Sequence, residues 1–190
     1  MKKYIFLWIL SFVLISAYSQ EESAVDSKTT RELSKQQRIE NKKMEEAALS
    51  KMVDSLVKYR QLVLEADYLS NQTGYRVIVN SLLNFIIVDS TDITIQIAST
   101  TGIGGPNGMG GITAVGHITR FEVNKVGKKS TYYSIRLVAM TSVGAYDILL
   151  SIFPSSNADA TISGTTSGKL NYHGIIKSRE KSKVYKGMSI

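Results

Sequence analysis

Two apolar rhythms divide the chain, and they meet near residue 63. Upstream, Leu49, Met52, Val53, Leu56 and Val63 recur at steps of three, four and seven, the stripe that an amphipathic helix buries. Thr29 with Glu32 fits a capping box, in which each side chain satisfies a free backbone N–H of the other. No Gly or Pro interrupts Arg31 to Leu62, so the pattern predicts a helix over 31–62. Between Arg31 and Glu46 only Leu33, Ile39 and Met44 are large and apolar, at irregular spacing. At ~1.5 Å per residue such a helix reaches about 48 Å, whereas a body of ~125 residues has a radius of gyration of about 14 Å. Residues 31–46 are therefore expected to project, and 47–62 to dock.

Downstream the period shortens to two. Leu64, Ala66 and Tyr68 alternate with Glu65 and Asp67. Asn84 to Val88 is an apolar run that ends in the turn residues Asp89-Ser90-Thr91-Asp92, and Ile93, Ile95 and Ile97 then alternate with Thr94 and Gln96. Further strands are predicted over 112–123, 131–140, 145–153, 158–162 and 169–176, with turns at 126–129, 142–144, 154–157 and 165–168. Short strands with no helical stretch between them argue antiparallel pairing. The expected fold is mainly β with an N-terminal α-helix (α+β). Residues 63–176 are expected to form an antiparallel β-sandwich or an open barrel.

The first residues suggest an address. Lys2 and Lys3 precede the apolar run Tyr4 to Ile15, and Ala17-Tyr18-Ser19 offers small residues before Gln20. That order is the one of a secretory signal peptide over 1–19. The run falls short of the ~20 apolar residues that spanning requires. Residues 20–30 are small and polar and read as a linker. With no cysteine in the chain, there is no residue to carry a bacterial lipoprotein's lipid and none to form a disulfide. The expectation is a periplasmic or secreted protein, not membrane-spanning once the signal is removed, and stabilised by burial alone.

Charge sharpens one end. The formal net charge is +7, and Lys2 and Lys3 leave with the signal. Lys177, Arg179, Lys181, Lys183 and Lys186 stand against the single acid Glu180, so 177–190 reads as a basic tail. Lys177, Arg179, Lys181 and Lys183 are the candidates for contact with an anionic surface of the envelope. Nucleic acid is not expected as a partner of an exported protein.

Four features resemble the exported bacterial family known as domain of unknown function 4251. A polar helix leads into Val63-Leu64-Glu65-Ala66-Asp67. Asn84-Phe85-Ile86-Ile87-Val88-Asp89 opens a hairpin. A long Gly-containing loop follows, and Tyr172-His173-Gly174-Ile175-Ile176 closes the pattern before a short basic tail. The resemblance runs from about Leu56 to the C-terminus and implies no activity. Where the family often carries Pro and an aromatic residue after the second hairpin strand, this chain has Ala98-Ser99-Thr100-Thr101.

The motifs that carry chemistry fail on their physical requirements. The segment 102–111 holds six of the fourteen glycines, but it runs into a strand, not a helix N-terminus, and no P-loop Lys follows. It reads as a hairpin loop, with Ile103 and Met109 as candidate contacts for a ligand or partner. His117 and His173 are the only histidines, too few for a zinc site without carboxylates, so no metal or other cofactor is expected. Gly-x-Ser-x-Gly is absent, and the Ser-x-x-Lys at Ser178 to Lys181 lies in the tail. Glu65 and Asp67 form the one close acid pair on a strand, expected on the solvent face opposite Leu64 and Ala66. Tyr132 and Tyr133 point to opposite faces, which makes them candidate contacts too. No catalytic residue is assigned. The reading is a non-enzymatic binding or envelope-interaction module whose partner is an envelope protein, an anionic surface or a small ligand. The alternatives are a carrier of a small apolar ligand in an open barrel, with the Gly-rich loop as its lid, and a hydrolase using carboxylates from distant strands.

Overall fold

The computed structural model describes residues 2–98, 111–127, 132–164 and 168–189, with side chains from residue 31 onward. Two units divide the chain, Met1–Glu45 and Glu46–Ile190. One helix, α1, runs Lys2–Tyr59 and accounts for the described backbone of the first unit. It passes through 20–30, where a linker was expected. Those residues are polar but contain no Gly or Pro, and polarity alone does not break a helix. Every side chain from 31 to 48 is exposed, including Leu33, Ile39 and Met44. Among the described residues no helix is long and apolar enough to cross a membrane.

In the second unit α1 stops earlier than its apolar stripe suggests. Arg60 takes a left-handed φ of 54° and donates its N–H to the Val57 carbonyl at 3.2 Å, closing the last turn. The Arg60 guanidinium sits 4.6 Å from the centre of the Phe121 ring, a cation–π contact at this strained residue. Strand β1 then begins at Gln61 and runs to Asn71.

Eight further strands follow: β2 Arg76–Ile78, β3 Phe85–Asp89, β4 Asp92–Ile97, β5 Ile112–Val126, β6 Tyr132–Thr141, β7 Gly144–Ile152, β8 Asn157–Gly164 and β9 Lys169–Lys177. All pair antiparallel in the order β2-β1-β3-β4-β5-β6-β7-β8-β9, and β9 also pairs with β1. That last pairing, from Val63↔Lys177 to Asn71↔Leu170, decides the architecture. It closes β1 and β3 to β9 into an eight-stranded barrel, so a sandwich does not form and the barrel is not an open sheet. β2 is the additional strand. It takes the edge of β1 at Tyr68 to Ser70, beyond the reach of β3, which pairs only with Gln61 to Glu65. Sequence periodicity missed β2 because all three of its residues are exposed and show no alternation.

A bulge between Ala66 and Tyr68 inserts Asp67 as an unpaired residue in β1. Leu62, Leu64 and Ala66 point into the barrel before it, and Leu69 does so after it. The interior is packed with Ile86, Ile93, Ile135, Leu137, Ile148, Leu150 and Tyr172, among others. Val53, Leu56 and Val57 from the end of α1 join the same core and stopper one end of the barrel. Tyr133 on β6 donates its hydroxyl to Asp54 at 2.5 Å and fixes the helix there.

The C-terminal residues keep exposed basic side chains and also pack on the barrel. Val184 packs on the outward-facing Val63, Phe85 and Ile87. Tyr185 donates its N–H to the Leu82 carbonyl at 2.9 Å. Beneath this strap Gln96, fully buried, donates to the carbonyls of Leu83 (3.0 Å) and Tyr185 (2.8 Å). Its side-chain oxygen accepts from the Thr113 hydroxyl at 3.0 Å and the Gly187 N–H at 2.8 Å. Glu65 is covered the same way. It is 1% exposed and holds Lys177 at 2.6 Å and the Ser182 hydroxyl at 2.8 Å, so it does not face solvent.

Candidate functional site

The end of the barrel away from α1 is concave. Ile95 on β4, Ala114 on β5 and Ile162 on β8 are buried core residues that also line a cavity of about 250 Å³. Around them stand Ile97, Tyr146 and Leu170, half-buried, and Ile112, exposed. The residue alternation of each strand places these side chains inward. A second hollow of about 300 Å³ shares Leu170. It is lined by Leu69, Val77, Val79 and Ala98, with Val77 on β2 paired to Leu69 of β1. Tyr172, at the centre of the core, donates its hydroxyl to the Gln96 carbonyl at 3.0 Å, and complete burial pushes its phenol far above the ordinary range.

A second constellation lies on the outer face of β8, β9 and β1. Asp159 Oδ1 is 2.6 Å from His173 Nδ1, and His173 Nε2 is 3.1 Å from Ser70 Oγ. An ionised carboxylate only accepts, so Nδ1 carries the proton; Nε2 accepts from the serine in the neutral imidazole and donates to it in the imidazolium. These are the partners of a hydrolytic triad, and they sit on three strands, out of reach of any local sequence motif. The setting is not that of a nucleophile. Ser70 is 7% exposed in a regular strand, and Asn171 Nδ2 donates to its Oγ at 3.3 Å. Tyr68 stacks on the imidazole with ring centres 4.4 Å apart. Asn171 in turn accepts from Thr161 at 2.9 Å, and the rows together tie the seam where β9 meets β1.

The residues singled out by sequence are dispersed. Ile103 and Met109 lie outside the described residues, as does most of the Gly-rich segment. Tyr132 packs against Phe153 with ring centres 5.5 Å apart, while Tyr133 is engaged with Asp54 at the helix-plugged end. The Asp54 carboxylate holds the Tyr133 phenol above its usual range. Lys177 is committed to Glu65, whereas Arg179, Lys181 and Lys183 are exposed. His117 pairs with Asp92 at 2.7 Å in the open, far from His173 along the sheet order. Among the described residues no group of three or more His, Asp or Glu is placed to hold a metal ion. The mouth residues carried no sequence signal, because a strand that lines a cavity alternates like one that fills a core.

The family model described as "Domain of unknown function (DUF4251)" matches residues 42–176. The chain belongs to the DUF4251 family. The match takes in the last turns of α1 and the barrel through the end of β9. A crystal structure of a DUF4251 family protein from Bacteroides eggerthii DSM 20697 is similar, with a TM-score of 0.60 and 25% sequence identity. That similarity covers 72% of this chain and 91% of the other. No curated protein matches the chain. DUF4251 membership supports the barrel and brings no activity with it.

Proposed function

We propose that this DUF4251 chain is an exported, non-enzymatic binding module that receives a small apolar group in the mouth of its barrel. One observation carries the reading: an apolar hollow of about 250 Å³ whose lining includes the buried residues Ile95, Ala114 and Ile162. An apolar cavity of ~150 Å³ in a protein core is enough to hold benzene, so this one has room for a somewhat larger group. Burial there would contribute roughly 25 cal/mol per Å² of apolar surface removed from water. The signal-like residues 1–19 support export, and the exposed apolar helix residues Leu33, Ile39 and Met44 support an association within the envelope.

The test is a methyl NMR titration of Ile-labelled protein with 1-octanol. The expected result is saturable shifts at Ile95, Ile97, Ile112 and Ile162, with none at Ile135 and Ile152 near the helix plug. Ala114→Met, or the milder Ala114→Leu, should abolish the shifts by filling the hollow. Shifts confined to other methyls, or undiminished in both filled variants that still fold, would refute the reading.

A further inference from the structure

Charge at the mouth is one-sided. Lys169 is exposed at the start of β9 and lines the 250 Å³ hollow, and among the described residues no Asp or Glu lines either hollow. The residues that join the lining strands in sequence, 99–110 and 165–167, carry no charged side chain at all. Several other basic residues of the barrel are ion-paired. Lys177 holds Glu65, Arg136 holds Asp147 and Lys125 holds Asp54, whereas Lys169 forms no ion pair among the described residues. A lysine stem on apolar surface with its ammonium at the edge suits a ligand that is apolar at one end and anionic at the other.

We infer that the mouth takes an anionic amphiphile with a short alkyl chain, the chain over Ile95, Ala114 and Ile162 and the anionic head at Lys169. This rests on the reading of the mouth as an apolar binding site and adds the class of ligand. At about 250 Å³ the hollow is smaller than the 300–1,000 Å³ of a site for a drug-sized ligand, which suits a short chain. Below the hollow the described interior is packed by Tyr172 and its neighbours.

The experiment compares octanoate, 1-octanol and octylammonium by the same methyl titration at low salt. Octanoate should bind about fivefold more tightly than octanol, the upper range for one solvent-exposed ion pair, and octylammonium more weakly than either. Lys169→Gln should bring octanoate down to octanol, and Lys169→Glu should reverse the order of octanoate and octylammonium. An unchanged thermal melt shows that the variants fold. Equal binding of octanoate and octanol by the native protein, or a preference that survives Lys169→Gln, overturns the assignment of the ligand while leaving the apolar site intact. Failure of all three to shift the mouth methyls overturns the site itself.

Discussion

Gln96→Leu should release the C-terminal strap and destabilise the barrel together. The side chain is fully buried and makes four hydrogen bonds, to Leu83, Tyr185, Thr113 and Gly187. Leucine keeps the approximate volume and removes all four. At a net ~1 kcal/mol each their loss sums to roughly 4 kcal/mol. The Thr113 side chain stays fully buried, which adds to the cost. Tyr185 and Gly187 regain water if the strap lifts, which subtracts from it. We therefore expect about 4 kcal/mol, seen in urea as a midpoint lowered by ~2 M for a slope of ~2 kcal/mol/M. Tryptic cleavage at Lys183 and Lys186 should accelerate in the same variant. Truncation after Ser182 removes half of the same contacts, so the double variant should cost at least ~1 kcal/mol less than the two single costs added. A Gln96→Leu protein within ~1 kcal/mol of the native one, or strictly additive costs, would refute the idea that this glutamine fastens the strap to the barrel.

Gly174→Ala should open the β1–β9 seam, because an added Cβ would lie 1.9 Å from the Glu65 carbonyl oxygen; a loss of at least ~3 kcal/mol in urea unfolding is expected. The Arg136 guanidinium holds the Asp147 carboxyl below its usual range through bonds of 2.6 and 3.3 Å. A depressed carboxylate stabilises the fold above its unfolded pKa of ~3.9, and that contribution is lost as pH falls through the folded value. Arg136→Gln should thus be less stable than the native protein at pH 7 and converge with it near pH 2, as urea midpoints would report. Tyr172 is raised by burial, so its stabilising effect is present below the unfolded tyrosine value of ~10 and lost at higher pH. Alkaline difference spectra should show one phenol ionising only as the barrel unfolds, a step absent in Tyr172→Phe. A fluorophosphonate probe should leave Ser70 unlabelled; labelling that disappears in His173→Gln would make the outer-face row a nucleophilic site.

Much of the local structure was already in the chain. The stripe Leu49 to Leu56 marked a docked helix, and alternation at Ile93, Ile95 and Ile97 marked a strand. These signals are readable because burying one face imposes a period on neighbouring residues, and the period differs between helix and strand. Even the strand-like run before Asp67 was visible, although the bulge that turns Leu69 inward was not. What tertiary structure alone decided is whatever depends on residues distant in sequence. Closure rests on β1 meeting β9, about a hundred positions apart, and the same alternation would have served a sandwich. Glu65 looked solvent-facing by its parity, and it did point outward, but a strap from the far end of the chain covers it. The Ser70–His173–Asp159 row and the apolar mouth arise in the same way. Parity assigns a residue to a face, and only the closed barrel determines what that face meets.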